Sequence, residues 1–205
     1  PVADDQNTSL DVVVFDDWTE YDIYATALYQ ISTDNGGMYL EGKPDQAGNQ
    51  ARFVSHEADW LRPAFVVWNL EHEYIHYLDA RFNLAGNYED TLAWPLVWWQ
   101  EGLAEVFAKG DHNPEALSAQ NTRQMPLSQI LQTPVTPWDG ERVYRLGYLA
   151  ARFLLDHEPE RLQAWRALLR EKRFADYKDA VRAYGDSGDA AFANWWRALP
   201  VEAAK

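Results

Sequence analysis

His72-Glu73-Tyr74-Ile75-His76 sits inside a stretch, residues 63–82, that reads as one helix opening at Pro63, a residue suited to a first helical turn. A spacing of four puts both imidazoles on one helical face, a turn apart, where they can share a metal ion. Glu73 follows the first histidine and projects beside that ion. Zinc brings the pKa of a water it holds down to about 7, and a neighbouring carboxylate can take the proton and pass it to a leaving amine. The pattern therefore points to metal-assisted peptide hydrolysis, with His72 and His76 as zinc ligands and Glu73 as general base.

A catalytic zinc keeps three protein ligands and one open position. Downstream, Asn83 to Asp90 is a polar reversal, and Leu96 to Ala108 reads as a second helix stopping at Gly110. It contains Trp98-Trp99-Gln100-Glu101-Gly102-Leu103-Ala104-Glu105. Glu101 is the stronger candidate for third ligand, because the following glycine leaves room for two helices to approach. Glu105, one turn on, is placed to accept a hydrogen bond from a ligand histidine. Trp94, Trp98 and Trp99 have the spacing of core residues, and His56, His112 and His157 read as surface or packing residues.

Upstream the pattern alternates. Residues 11–15 form a β-branched run that reads as a buried strand. Asp16, Asp17 and Thr19 supply N-cap chemistry for a helix to about Gln30, with Tyr21, Tyr24, Leu28 and Ile31 as its expected core face. Met38 to Leu40 and Ala51 to Ser55 read as further short strands. Beyond the prolines at 126, 134 and 137, helices are expected over about 142–156, 160–171, 174–183 and 190–199. The fold class is α+β, with a small sheet early and a helical part late.

Composition narrows the function. The chain has 205 residues, 32 acidic against 18 basic, and a net charge of −14. Phosphate backbones are bound through Lys and Arg, so a nucleic-acid partner is excluded. No apolar run approaches the roughly 18 residues of a membrane span. The absence of cysteine removes disulfides, thiolate zinc sites and a thiol nucleophile. Neither end reads as a leader, which fits an exported protein whose leader has been removed.

The segments HEYIHYLDARFN (72–83), WWQEGLAE (98–105), RVYRLGYLAARF (142–153) and ALLREKRFADYKDAV (167–181) resemble the bacterial collagenases of the gluzincin type, in particular the Vibrio-like branch. The likeness spans nearly the whole chain. It implies one catalytic domain over 1–205 with a thermolysin-like fold. Residues 1–82 would form a sheet-bearing upper lobe ending in the active-site helix, residues 83–205 a helical lower lobe, and the cleft would lie between them. It also gives meaning to STDNGGMYLEG (32–42). By likeness, Gly36 and Gly37 lie by an edge strand that binds substrate, and Glu41 is a calcium ligand joined by carbonyls of the Thr33–Gly37 turn. The family's oxyanion-stabilising tyrosine has no clear counterpart. Trp138 stands at the simplest position, with Tyr144 and Tyr148 nearby, and the donor is left unassigned.

The resemblance thus implies a secreted, extracellular and monomeric zinc endopeptidase, with calcium as a second ion. Its substrate would be collagen or gelatin at Gly-Pro-X sequences, and an activator domain would precede it in the full-length protein. Two other readings stand beside this one. A gluzincin aminopeptidase would use a G-x-M-E-N strand that Gly37 to Glu41 resembles superficially, and a non-catalytic, zinc-stabilised binding module would need no base.

Overall fold

The computed structural model describes residues 1–119 and 123–199. The β-branched run Leu10–Phe15 is β1, and it pairs in parallel with β3 (Ala51–His56), Val12 opposite Phe53. β2 (Gly37–Leu40) lies antiparallel on the other side of β3, which gives a mixed sheet of order β1-β3-β2. β2 is therefore an edge strand, with one row of backbone groups unpaired within the sheet.

Helix α1 (Trp18–Tyr29) packs on this sheet, and the Asp17 carboxylate caps it by accepting from the Glu20 amide. Its buried side is narrower than the sequence suggests. Tyr21 and Ala25 are buried against Val54, whereas Tyr24 and Leu28 are 48% and 67% exposed. A three-stranded sheet covers only one stripe of a helix, and the 21/25 stripe takes it.

The helix carrying the two histidines is α2 (Leu70–Phe82). It starts seven residues after Pro63, because residues 57–68 are drawn into an excursion of the sheet. Ala58 N–H donates to the Val66 carbonyl at 2.8 Å and Trp68 N–H to the His56 carbonyl at 2.9 Å. Only after Asn69, in the left-handed region at φ 59°, does the helix begin.

The remainder is helical. α3 (Tyr88–Thr91) and α4 (Val97–Lys109) follow, then α5 (Pro114–Ser118) and α6 (Leu127–Ile130), two short helices in a region that reads as loop. A π-helical turn, Glu141–Leu146, leads into α7 (Gly147–His157), so the expected uninterrupted α-helix from Arg142 opens instead on a wider turn. α8 (Pro159–Arg170) and α9 (Phe174–Ala198) complete the chain. The two helices expected at 174–183 and 190–199 are one. Gly185 packs within van der Waals contact of Ser128, and Asp189 accepts from both the Ser128 amide and hydroxyl at 2.7 and 2.8 Å. Tertiary contact with α6 outweighs the poor helix propensity of the intervening glycines.

The main core belongs to this helical part. Trp98, Leu146, Tyr148 and Leu149 are fully buried in it. Trp98 meets Trp165 edge-on, Trp99 meets Tyr177, and Trp94 stacks on Phe174, so all three tryptophans serve packing. α4 and α7 touch at Gly102, where an added Cβ would lie 2.5 Å from the Gly147 carbonyl oxygen. No helix among the described residues is long and apolar enough to cross a membrane.

Candidate active site

α2 and α4 bring their polar side chains together at the floor of a cleft of about 1390 Å³. The His72 and His76 rings lie 4.8 Å apart. A single oxygen of Glu101, Oε2, is 3.1 Å from His72 Nε2 and 3.5 Å from His76 Nε2. Donors held at 2.0–2.1 Å around a tetrahedral zinc lie about 3.3 Å from one another, so this spacing suits that ion. Two neutral-capable imidazoles and one carboxylate also form the donor set of a hydrolytic zinc site. His72, His76 and Glu101 fit the metal.

Glu105 holds the far side of His72, with Oε1 3.1 Å from Nδ1. It is itself held by Lys109 Nζ at 2.8 Å and by Asn113 Nδ2 at 3.2 Å. Such a contact fixes the ring so that Nε2 faces the ion. Burial opposes the charged form of His72, but its hydrogen bonds to Glu101 and Glu105 prevail and push it up to about 9. Burial also works against an ionised Glu101, yet the nearby His76 and His72 hold its carboxyl well below the usual range. The carboxylates thus favour positive charge at these nitrogens. Metal and protons compete for the same atoms.

Glu73 is 6% exposed, with a carboxylate oxygen within 4.8 Å of ring nitrogens of His72 and His76. Its Oε2 accepts from the Tyr39 amide of β2 at 3.0 Å, and its Oε1 accepts from Asn69 Nδ2 at 3.0 Å. Burial raises its pKa, against the lowering influence of His76 and His72. A buried carboxylate fixed at both oxygens, beside two imidazoles and with raised basicity, has the properties of a general base. The Tyr39 amide and Asn69 carry no motif and were not legible from sequence.

The structure separates the tyrosines left open above. Tyr148 is fully buried and its hydroxyl donates to the Gly110 carbonyl at 2.8 Å, so it serves the core. Tyr144, on the π-helical turn, lines the cleft with its ring 6.1 Å from His72. Burial, with the negative charge of Glu101 and Glu73, keeps its hydroxyl protonated far above neutral pH. Trp138 packs 5.7 Å from Tyr144 and is half exposed. Regular α-helical spacing would have put Tyr144 and Tyr148 on the same face, and the wider turn divides their roles.

At the cleft wall, Met38 and Tyr39 are lining residues, whereas Gly36 and Gly37 are not among them. Gly36 has φ 74°, and a Cβ there would fall 2.8 Å from Cδ1 of Trp68, which does line the cleft. The glycine makes room for an indole. Gly37 opens β2 opposite Ser55. Glu41 lies just past the other end of β2, where its Oε2 accepts from the Tyr88 amide at 2.7 Å and burial pushes its carboxyl up to about 7. Three extended residues, Met38 to Leu40, lie between it and Gly37, roughly 13 Å from Cα to Cα. The Thr33–Gly37 turn leads into β2 at the end opposite Glu41. Of the remaining histidines, His56 is buried with Nδ1 2.8 Å from the Glu57 carbonyl, and His157 packs on Phe153 and Trp195.

Comparisons with known proteins give the family. The model of the collagenase family, peptidase M9, matches residues 1–195. A microbial collagenase of Vibrio alginolyticus is 40% identical over 200 residues, covering 97% of this chain and 24% of that protein. One from Vibrio parahaemolyticus is 41% identical over 98% of the chain and 24% of its own length. Collagenase ColA of Bacillus cereus is 25% identical over 84% of the chain and 18% of its length. The chain belongs to the collagenase family, and it spans about a quarter of the length of these Vibrio relatives.

Proposed function

We propose that this chain is the zinc-dependent catalytic module of a secreted bacterial collagenase, an endopeptidase that cuts collagen- or gelatin-type Gly-Pro-X chains. The observation that carries the reading is the meeting of His72, His76 and Glu101 around one point, with Glu73 fixed beside it. His72, His76 and Glu101 would hold Zn2+, which supplies a Lewis acid that polarises the scissile carbonyl and acidifies the attacking water.

The chain's own residues do the rest. Glu73 accepts the proton of the attacking water and delivers it to the leaving nitrogen, held throughout by Asn69 and the β2 edge. Tyr144 donates its hydroxyl proton in a hydrogen bond to the substrate oxygen as it gains negative charge. Glu105 keeps His72 in the tautomer with Nε2 free. The edge of β2 away from β3 can pair with an extended substrate through the main-chain groups that Glu73 does not hold. The cleft would then divide a thermolysin-like fold into a sheet-bearing lobe, 1–82, and a helical lobe, 83–205, of one catalytic domain. We further propose calcium at Glu41, completed by carbonyls from the loop before Tyr88, which lines the same end of the cleft. The module would act as a monomer, preceded in the full-length enzyme by an activator domain.

The test is mass-spectrometric mapping of cleavage in an N-terminally blocked Gly-Pro-X peptide, alongside a chelated sample and Glu73→Gln. Internal cuts that vanish on chelation and fall about 10²–10⁴-fold in Glu73→Gln, at unchanged zinc content, are expected. An intact blocked peptide in zinc-loaded protein would overturn the endopeptidase reading. Cleavage of only the unblocked peptide would favour an aminopeptidase.

A further inference from the structure

The excursion at residues 57–68 uses its polar groups to hold itself in place and leaves its aromatic groups to solvent. Arg62 reaches Glu57 at 2.7 Å and Asp16 at 2.8 Å, and the Ser55 hydroxyl meets the Trp68 carbonyl at 2.9 Å. Yet Trp60 is 56% exposed, Phe65 70% and Trp68 41%. Trp60 and Trp68 meet edge-on at 5.2 Å, so the two indoles form a contiguous ledge, with Phe65 exposed on the same excursion. Large aromatic side chains left together in water mark a binding surface more often than a packing one.

The ledge has a definite direction relative to the chemistry. Trp68 lines the cleft and touches the place where β2 begins, at Gly36, while Glu41 and Tyr88 occupy the place where β2 ends. A polypeptide paired with the β2 edge runs along that line. On leaving the strand at the Gly36 end it passes over Trp68 and onto Trp60. Its chemistry follows from the surface, which offers ring faces and edges: Arg62 is satisfied by Glu57 and Asp16, and the exposed Asp59 is the charge beside Trp60. Chains in the polyproline II conformation present pyrrolidine rings at about 3.1 Å per residue and have no internal hydrogen bonds to lose. Aromatic-lined surfaces are their usual receptors.

We propose that Trp68, Trp60 and Phe65 form a remote subsite that binds a proline-rich segment of the substrate several residues from the bond cut. This rests on the peptidase reading above. The subsite lengthens the recognised segment beyond the cleft and selects for extended, imino-acid-rich chains.

Two zinc-loaded measurements test it, with Trp60→Ala/Phe65→Ala compared against Trp60→Phe and against Phe107→Ala, an exposed aromatic on α4. The first is the ratio of kcat/KM for a long Gly-Pro-X peptide to that for a short peptide filling the cleft alone. The ratio is expected to fall about tenfold in the double alanine variant, through KM, and to recover largely in Trp60→Phe. Phe107→Ala leaves it where it was. The second is fluorescence anisotropy of the labelled long peptide on a Glu73→Gln background, where the same substitutions raise Kd by a similar factor. Unchanged ratio and unchanged Kd overturn the subsite and leave the ledge to another domain or a second copy. Should the wild-type chain cut neither peptide, the peptidase reading falls while the anisotropy still decides the subsite.

Discussion

The two walls of the cleft are built by different means. The lower wall, α4 and the π-helical turn with α7, stands on a deep apolar core in which Trp98, Leu146, Tyr148 and Leu149 are fully buried. The upper wall stands on a thin layer whose buried cluster is Tyr21, Ala25 and Val54, and it is held largely by polar ties. Among these are Thr33 to Asp22, Ser55 to the Gly36 and Trp68 carbonyls, and Arg62 to Glu57. The proposed metal ligands sit where packing is dense, with Glu101 on α4 itself. The groups proposed to meet substrate sit where hydrogen bonds do the holding. Metal geometry needs tolerances well under an ångström, and substrate pairing needs an edge that can adjust. Substitutions in the two walls should therefore fail in different ways.

The largest effect belongs to the lower wall. Trp98→Ala removes a fully buried indole packed on Trp99 and Trp165. A loss of about 3–5 kcal/mol in unfolding free energy is expected from denaturant titration. A loss under about 1 kcal/mol would show that this core is not what supports the cleft. Gly102→Ala comes next. Alanine gains about 1 kcal/mol of helix propensity, but its Cβ would lie 2.5 Å from a backbone oxygen of α7 that cannot move alone. The net cost should be about 1–3 kcal/mol. Because Glu101 is the preceding residue, zinc affinity should fall with it, as a competitive chelator titration would show. Retained zinc affinity would mean that the α4–α7 approach does not set the ligand position.

How much of this was legible in the sequence follows the same division. The α2 and α4 motifs depend on spacing within one helix, and the caps at Asp17 and Gly110 are local, so they could be read directly. Features decided by contacts across the chain could not. The start of α2 is set by hydrogen bonds of residues 57–68 to the sheet, and the continuity of α9 by Ser128 and Asp189. Tyr144 and Tyr148 look alike at α-helical spacing, and only the π-helical turn separates them. Nor did any motif announce that Asn69 and the Tyr39 amide hold Glu73.

In the upper wall, Ser55→Ala should show the opposite signature to Gly102→Ala. The Ser55 hydroxyl is buried and stands 2.9 Å from both the Gly36 and the Trp68 carbonyls. Its loss leaves at least one buried acceptor unpaired, at about 1–2 kcal/mol. Trp68 and the start of β2 should loosen together, so KM for an extended peptide is expected to rise several-fold at unchanged zinc content. Loss of zinc in this variant would erase the distinction between the walls.

A further effect concerns a buried carboxylate where α2 meets the denser wall. Asp79 on α2 is buried, and Trp99 Nε1 lies 3.1 Å from each of its carboxylate oxygens. Burial pushes its carboxyl from the ordinary 3.8 up to about 6, despite hydrogen bonds from Asn83 and Trp99 that favour the ionised form. The folded state then binds a proton more tightly than the unfolded state. Stability is greatest from this group below about pH 4, declines as pH rises toward 6, and is level above it. Asp79→Asn keeps an acceptor for the indole and removes the titration. It should flatten this segment of the stability–pH curve, so that the variant gains on wild type as pH rises from 4 to 7. Urea titrations across that range measure the difference. An equal slope in both proteins would mean that the α2–α4 contact tolerates the charge, and that the lower wall is as adaptable at this point as the upper one.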